Sequence, residues 1–522
     1  MKTAAAQSPA IAAGYAQVAY QPIWLSDGES GGASPAAMAF LATLSEADRH
    51  ALPTERYGRA DLAARLSNAA QFGLSERVRL ELDITRSFLA YAHDITGGVL
   101  EPSKVDRELY VYPERLSPLE LIGGLTRAAD PAMWLETLAP TNAAYARLVE
   151  RYRSFRQRAE TGGWGEPLTG RQTLRPGQRS GDVAVLRDRL TKMGYYDGGF
   201  AAADNGVVLA TNETVTDAQP APLGDPLRYD DALVDAVRLF QERHGLNQDG
   251  AVGPATRAAL NVDPGFRAAQ IAVNLERMRW LNKDLGAKHI MVNLASFDMA
   301  VIENGRTAFE SRVVVGKAKE HRTPEFSDEM EHMVVNPTWY VPYSIASKEI
   351  LPKLKRDPGY LARKNMRLHG ADPWSVDWSQ VTQRTFPGRV TQGPGKNNAL
   401  GRVKFMFPND HAIYLHDTPA KSLFNRDTRA YSHGCVRVHR PYEFAEYLLS
   451  AQEDDPKGTF ERLLRRGKER YVNFDEPVPV HLTYRTAWVD DNGHDQFRGD
   501  IYGRDRKVLA ALEKAGVKLP AH

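Results

Sequence analysis

Cysteine is all but missing: one residue, Cys435, stands in a chain of 522. No intrachain disulfide can form, so cysteine usage does not identify a compartment. Also missing is any run of 18 or more apolar residues of the kind that crosses a bilayer; the most apolar short stretch, residues 36–44, is interrupted at Thr43. The chain is not expected to span a membrane. At its start Met1-Lys2-Thr3-Ala4 offers a positive residue, but Gln7, Ser8 and Pro9 break any apolar signal core, so export is either absent or its signal has been trimmed. Charge of one sign is scarce too. Lys and Arg number 67 against 65 Asp and Glu, a net +2, which excludes a protein whose main partner is nucleic acid and leaves room only for local basic patches.

What is present is ordinary globular material, 42% hydrophobic and 25% charged. That composition excludes wholesale disorder, and at about 150 residues per domain the length predicts three or four units. The first, residues 1–168, reads as a helical scaffold. In it Ile84, Phe88, Tyr91 and Ile95 recur on one face of a helix and Val78, Leu82, Leu89 and Ala92 on another, so that helix should be buried, ending at Gly97-Gly98. A glycine-rich linker, residues 161–167, closes the unit. The second, residues 169–262, carries Val183, Leu186, Leu190 and Met193 on one helical face, a polar insertion at 198–230, a second amphipathic helix with Leu233, Val237 and Phe240, and a third that should begin at Pro254. From His289 the period becomes two: Ile290, Val292, Leu294, then Met299 and Val301, with Asn304-Gly305 as a hairpin turn, and a mostly β domain is expected over 263–522. Residues 344–398 interrupt the alternation and are expected to form a lid. Gly395-Lys396 is no phosphate loop, because Val390 and Asn397 stand where its Gly and Ser or Thr belong. The tail 478–502 should return as strands of the same β domain, and the charge run 465–470 reads as a solvated helix end.

The chemistry concentrates in Tyr414-Leu415-His416-Asp417-Thr418-Pro419 and Tyr431-Ser432-His433-Gly434-Cys435-Val436-Arg437. A cysteine attacks as thiolate, so it needs a neighbouring imidazole or cation; either His416 or His433 can supply the base, and Arg437 adds fixed positive charge. A helix from about Pro441, with Phe444, Ala445 and Leu448 inward, should anchor the loop. A zinc site built from His416, His433, Cys435 and His439 is the rival reading, weakened by the lack of closely paired spacings and of His-Glu-x-x-His.

Ser432-His433-Gly434-Cys435 with Arg437, and His416 nineteen residues before the cysteine, resemble the signature of the L,D-transpeptidase catalytic domain. The segments 274–280 (Asn-Leu-Glu-Arg-Met-Arg-Trp), 336–342 (Asn-Pro-Thr-Trp-Tyr-Val-Pro) and 392–395 (Gln-Gly-Pro-Gly) look like landmarks of that family's large periplasmic subgroup, and residues 174–261 resemble a three-helix peptidoglycan-binding module. The resemblance implies a multidomain α+β protein: helical scaffold, peptidoglycan-binding module and mostly β catalytic domain with an inserted lid. It implies Cys435 as nucleophile, His416 as proton acceptor and donor, and Asp417 in support. His433 with the Gly434 and Cys435 amides would shape an oxyanion pocket to which Tyr414 adds a hydroxyl, and Arg437 would orient a substrate carboxylate or the loop. Ser432 and Trp339 are further candidate substrate contacts, although the alternation at Trp339 and Tyr340 also suits packing. The implied reaction joins stem peptides of glycan strands by 3→3 cross-links through a thioester, in the periplasm, with no metal or organic cofactor and with carbapenems as covalent inhibitors. Hydrolysis of the same thioester (a carboxypeptidase or endopeptidase), lipoprotein attachment, D-amino-acid exchange and a decayed, purely wall-binding protein are the alternatives.

Overall fold

The computed structural model describes residues 1–6, 8–26, 32–197 and 225–521, so most of the expected insertion at 198–230 lies outside the described residues. The chain forms two compact units, Met1–Lys283 with Arg485–His522, and Asp284–Tyr484.

The first unit is helical. Its longest helix, Leu74–Gly97, buries Ile84, Phe88, Tyr91 and Ile95 together with Leu82 and Ala92, so both predicted faces are covered. Gly98 ends it at φ +91°, and a Cβ there would stand 2.6 Å from Trp280 Cδ1; only glycine meets both demands. Three helices, Gly181–Lys192, Asp231–Arg243 and Pro254–Leu260, enclose a separate core of Leu186, Leu190, Leu233, Val237 and Phe240. Proline opens the third, as its missing donor allows.

Two boundaries differ from expectation. Helix Pro264–Trp280 buries Ala268, Ile271 and Leu275 in one cluster with Tyr152 of helix Ala143–Glu160 and Val508 and Leu512 of helix Arg504–Lys514. Residues 263–283 and 485–522, read from sequence as catalytic domain, are thereby held in the helical unit. The tail splits likewise: Arg470–Thr483 is a strand of the β unit, whereas Ala487–Val489 and Asp495–Phe497 form a hairpin of their own, with Ala487, Val489 and Phe497 in the helical cluster. Alternation alone cannot say which core receives a strand's apolar side.

The second unit has twelve strands: β1 (Lys288–Asn293), β2 (Asp298–Glu303), β3 (Arg306–Gly316), β4 (Glu325–Val335), β5 (Trp339–Tyr340), β6 (Met366–His369), β7 (Arg389–Gln392), β8 (Val403–Met406), β9 (Leu415–His416), β10 (Ala430–Ser432), β11 (Val436–Val438) and β12 (Arg470–Thr483). Eight pair in the order β4-β12-β1-β2-β3-β11-β9-β8, and β8 pairs back to β4, closing a ring with no free edge. Ile290, Val292, Val301, Val313, Met333, Phe405, Leu415, Val436, Val438 and Val480 are all buried. Helix Pro441–Leu449 sets Phe444 4.6 Å from the Phe405 ring and buries Ala445 and Leu448. The interruption of the barrel is a subdomain with its own core: β5, β7 and β6 form a small sheet over Ile350, Leu351, Leu354, Leu361, Trp378 and Phe386. It starts at Trp339, slightly before the expected lid.

Candidate functional site

Strand register assembles the site. β9 and β11 run parallel with Leu415 opposite Val436 and His416 opposite Arg437, while β8 lies antiparallel to β9 with Lys404 opposite His416. Partners across a sheet share a face, so Lys404, His416 and Arg437 form one row. Side chains two residues apart also share a face, which puts Tyr414 beside His416 and Cys435 beside Arg437. The Val436 amide bonds the Tyr414 carbonyl at 3.1 Å, continuing the ladder to the nucleophile's neighbour. His416 then lies diagonally across from Cys435, a separation of about 7–8 Å between Cα positions that an imidazole can bridge.

Cys435 is half-buried. Burial pushes its thiol above the ordinary range, against the opposing pull of the Tyr414 amide and hydroxyl and the charges of Arg437 and Lys404. The sulfur also lies 3.6 Å from the Ala412 carbonyl. Tyr414 answers in kind: burial first, then the neighbouring sulfur, hold its hydroxyl protonated. Arg437 and Lys404 are each shifted down by desolvation and up by Cys435. At neutral pH the resting sulfur is therefore a thiol, with two cations positioned to receive a thiolate when it forms.

His416 is buried, and its Nδ1 bonds the Asp417 carbonyl. A carbonyl only accepts, so Nδ1 carries the ring hydrogen and Nε2 is left as acceptor. Burial and the Arg437 charge push this imidazole down to about 3, with the Asp417 and Leu400 carbonyls opposing. It is thus neutral throughout the physiological range, with Nε2 unprotonated. The Asp417 carboxylate does not face the ring: it accepts from the Arg402 and Thr418 amides at 2.9 and 2.7 Å and from Lys421 at 2.8 Å, pinning the turn that follows β9.

The cysteine loop is braced from within. Ser432 Oγ donates to the Cys435 carbonyl at 2.6 Å and accepts from the Gly434 amide at 3.1 Å, while Thr323 Oγ1 donates to the Gly434 carbonyl at 2.7 Å. Gly434 has φ +120°, a conformation that keeps other residues out. Ser432, expected at substrate, is 2% exposed with its hydroxyl spent on the loop, and the Gly434 amide, expected to face an oxyanion, is spent on Ser432. His433 turns to the inserted subdomain: its Nε2 pairs with the Glu349 carboxylate and its ring lies 4.8 Å from that of His321. Trp339 is half-buried against the subdomain core.

Among the expected residues, then, Cys435, Tyr414, His416 and Arg437 share one site, Ser432 and Gly434 shape the loop, and Trp339 packs elsewhere. Lys404, Glu349 and His321 were not legible in the sequence. Lys404 is one lysine in an alternating strand, and only the pairing of β8 with β9 reveals it. Among the described residues no group of three or more His, Cys, Asp or Glu side chains gathers as metal ligands, so the four residues of the zinc reading form no ligand set. No helix among them is long and apolar enough to cross a membrane.

The loop sets one thiol beside a hydroxyl, an imidazole and two cations, and comparison with known proteins gives the domain its family. Residues 287–468 match the L,D-transpeptidase catalytic domain, residues 179–260 a putative peptidoglycan binding domain and residues 9–151 a scaffold domain. A putative L,D-transpeptidase of Haemophilus influenzae is 37% identical over 249 residues, which cover 46% of this chain; the chain spans about half of that relative's length, 49%. Two solved L,D-transpeptidases, from Stackebrandtia nassauensis and Xylanimonas cellulosilytica, are each 14% identical over 61% of this chain, covering 97% and 100% of theirs, with TM-scores of 0.22 and 0.17. The domain matches and the Haemophilus relative show a chain that carries a helical scaffold domain, a peptidoglycan-binding domain and a mostly β L,D-transpeptidase catalytic domain, in that order.

Proposed function

We propose that this enzyme forms 3→3 cross-links between peptidoglycan stem peptides through a thioester on Cys435, acting in the periplasm. The observation that carries the reading is the register that sets Tyr414, His416 and Arg437 around the one thiol of the chain.

Cys435 Sγ attacks the carbonyl carbon of the third residue of a donor stem, a diamino acid, as its proton passes to His416 Nε2. The carbonyl oxygen becomes an oxyanion facing the Tyr414 hydroxyl and the Cys435 amide. Collapse breaks the peptide bond; the leaving D-alanine nitrogen takes the proton from His416, and a thioester remains. The side-chain amine of a second stem attacks that carbonyl, gives its proton to His416, and forms the new amide as the thiol is restored. A neutral thiol beside a neutral imidazole makes the proton transfer part of the attack, ordinary general-base catalysis. The peptidoglycan-binding domain supports the choice of substrate. The same thiol, offered a strained lactam, is acylated by carbapenems.

Purified full-length protein incubated with disaccharide tetrapeptides and analysed by mass spectrometry tests the reading. Dimers lacking one D-alanine, absent with Cys435→Ala, are expected. Tripeptides alone make the enzyme a hydrolase, and dimers formed by Cys435→Ala remove the thiol from the mechanism.

A further inference from the structure

The helical unit contains a cavity of about 360 Å³ that borders the helices Pro35–Ser45, Leu74–Gly97 and Pro131–Glu136, far in sequence from the catalytic loop. Four alanines, at 39, 42, 132 and 139, line part of it and leave the space open. The lining is mixed, with Thr43, Glu46, Arg49, His50, Tyr91 and Glu136 supplying its polar groups. Tyr91 is only 3% exposed, wedged by its ring against Phe40 and Tyr57, yet among the described residues its hydroxyl has no hydrogen-bond partner. The Tyr91 side chain lines the open space, so its hydroxyl is free to bond whatever enters. Beside it Arg49 gives its Nε to His50, at 3.1 Å, and among the described residues makes no ion pair, although its charge acts on both His50 and Tyr91. Glu46 and Glu136 border the same space and among the described residues make no ion pair either, even though Glu46 stands one helical turn from Arg49. Glu46, Arg49 and Glu136 are all exposed, so charges of both signs stand at the open rim of one cavity.

We infer that this cavity is a binding site for an amino-acid zwitterion. Arg49 and the Tyr91 hydroxyl donate to the ligand carboxylate, and Glu46 and Glu136 accept from its ammonium group. At ~30 Å³ per water the cavity holds about a dozen waters, room for an amino acid with a long side chain. Two sources share this chemistry: a free amino acid such as released alanine, and the far end of a diamino acid in a stem peptide, which carries an ammonium and a carboxylate on one carbon. The choice of probes rests on the function proposed above; the chemistry of the site does not.

Isothermal titration of the full chain with diaminopimelate and, separately, with D-alanine tests it. Saturable binding of one ligand per chain is expected for diaminopimelate at millimolar concentration or below, weakened about tenfold or more by Arg49→Gln and several-fold by Tyr91→Phe. Comparable affinity for D-alanine identifies the free amino acid as source, and binding of diaminopimelate alone the stem end. Cys435→Ala, which removes the transfer reaction, should bind as the parent does, so the two readings fail separately. No saturable binding of either probe overturns the site. So does binding that Cys435→Ala abolishes, or that Arg49→Gln leaves unchanged with its melting temperature intact. Arg49 is exposed, so that variant decides the matter even if Tyr91→Phe fails to fold.

Discussion

Two arginines, Arg279 fully buried in the helical unit and Arg437 half-buried in the β unit, are used in opposite ways. Arg279, fully buried in the helical unit, donates to the His50 carbonyl at 2.7 Å and the Tyr145 hydroxyl at 3.1 Å and pairs with Glu276 at 2.7 Å. Glu276 in turn accepts from the Leu100 amide and the Trp280 indole at 2.8 and 2.9 Å. Arg437 in the β unit has a buried Nε without a partner, and the one charge that opposes its desolvation is the Cys435 thiolate. The Nε of Arg279 is also buried without a partner, but its guanidinium is paired with a carboxylate; Arg437 keeps its charge beside a sulfur that is neutral at rest. Among the described residues no carboxylate pairs with Arg437, and charges held against their own solvation gather at functional sites.

The largest expected effect lies on the catalytic side. His416→Ala should lower the transfer rate about 10²–10⁴-fold, the usual worth of a positioned general base, measured as dimer formation per unit time. A loss of only a few-fold would hand the role of base to His433 and its Glu349 partner. Next, and the sharpest test of the contrast, is the pair of arginine variants. Arg279→Gln leaves Glu276 buried and unpaired and should cost about 3–5 kcal/mol in denaturant unfolding. Arg437→Gln removes a guanidinium that is poorly satisfied, so its unfolding free energy should stay near that of the parent while alkylation of Cys435 slows about tenfold, a one-unit rise in the thiol's pKa. If Arg437→Gln unfolds as readily as Arg279→Gln, the two arginines do one job and the comparison breaks. A smaller effect concerns pH. Because burial raises the thiol and lowers His416 to about 3, alkylation of Cys435 should climb with pH and continue to climb past the ordinary thiol value of about 8.5. A plateau below neutrality would mean a preformed thiolate and imidazolium. Smallest of all, Tyr414→Phe takes one donor from the sulfur and should slow alkylation a few-fold.

How much of this the sequence disclosed depends on the distance over which each feature is encoded. The buried helix around Phe88, the start of a helix at Pro254 and the switch to alternation at His289 are local patterns, and each appears in the fold where its pattern stands. The loop around Cys435 was legible because four consecutive residues carry it. Lys404, Glu349 and His321 were not, since each joins the loop through strand pairing or a subdomain contact dozens of residues away. The segment 274–280 teaches the converse. It reads as a landmark of the large periplasmic subgroup and falls within the expected catalytic domain 263–522, yet Asn274 bonds Thr486 at 2.8 Å, Arg277 pairs with Asp505 at 2.5 Å, and Glu276 and Arg279 form the buried network of the helical unit. A prominent motif can be a structural hub.

Acylation of the sulfur is the central claim, and intact-protein mass spectrometry after exposure to a carbapenem tests it most directly. The account predicts one adduct per chain, mapped by peptide digestion to Cys435 and absent from Cys435→Ala. An adduct on another residue, or one that survives in Cys435→Ala, would contradict it.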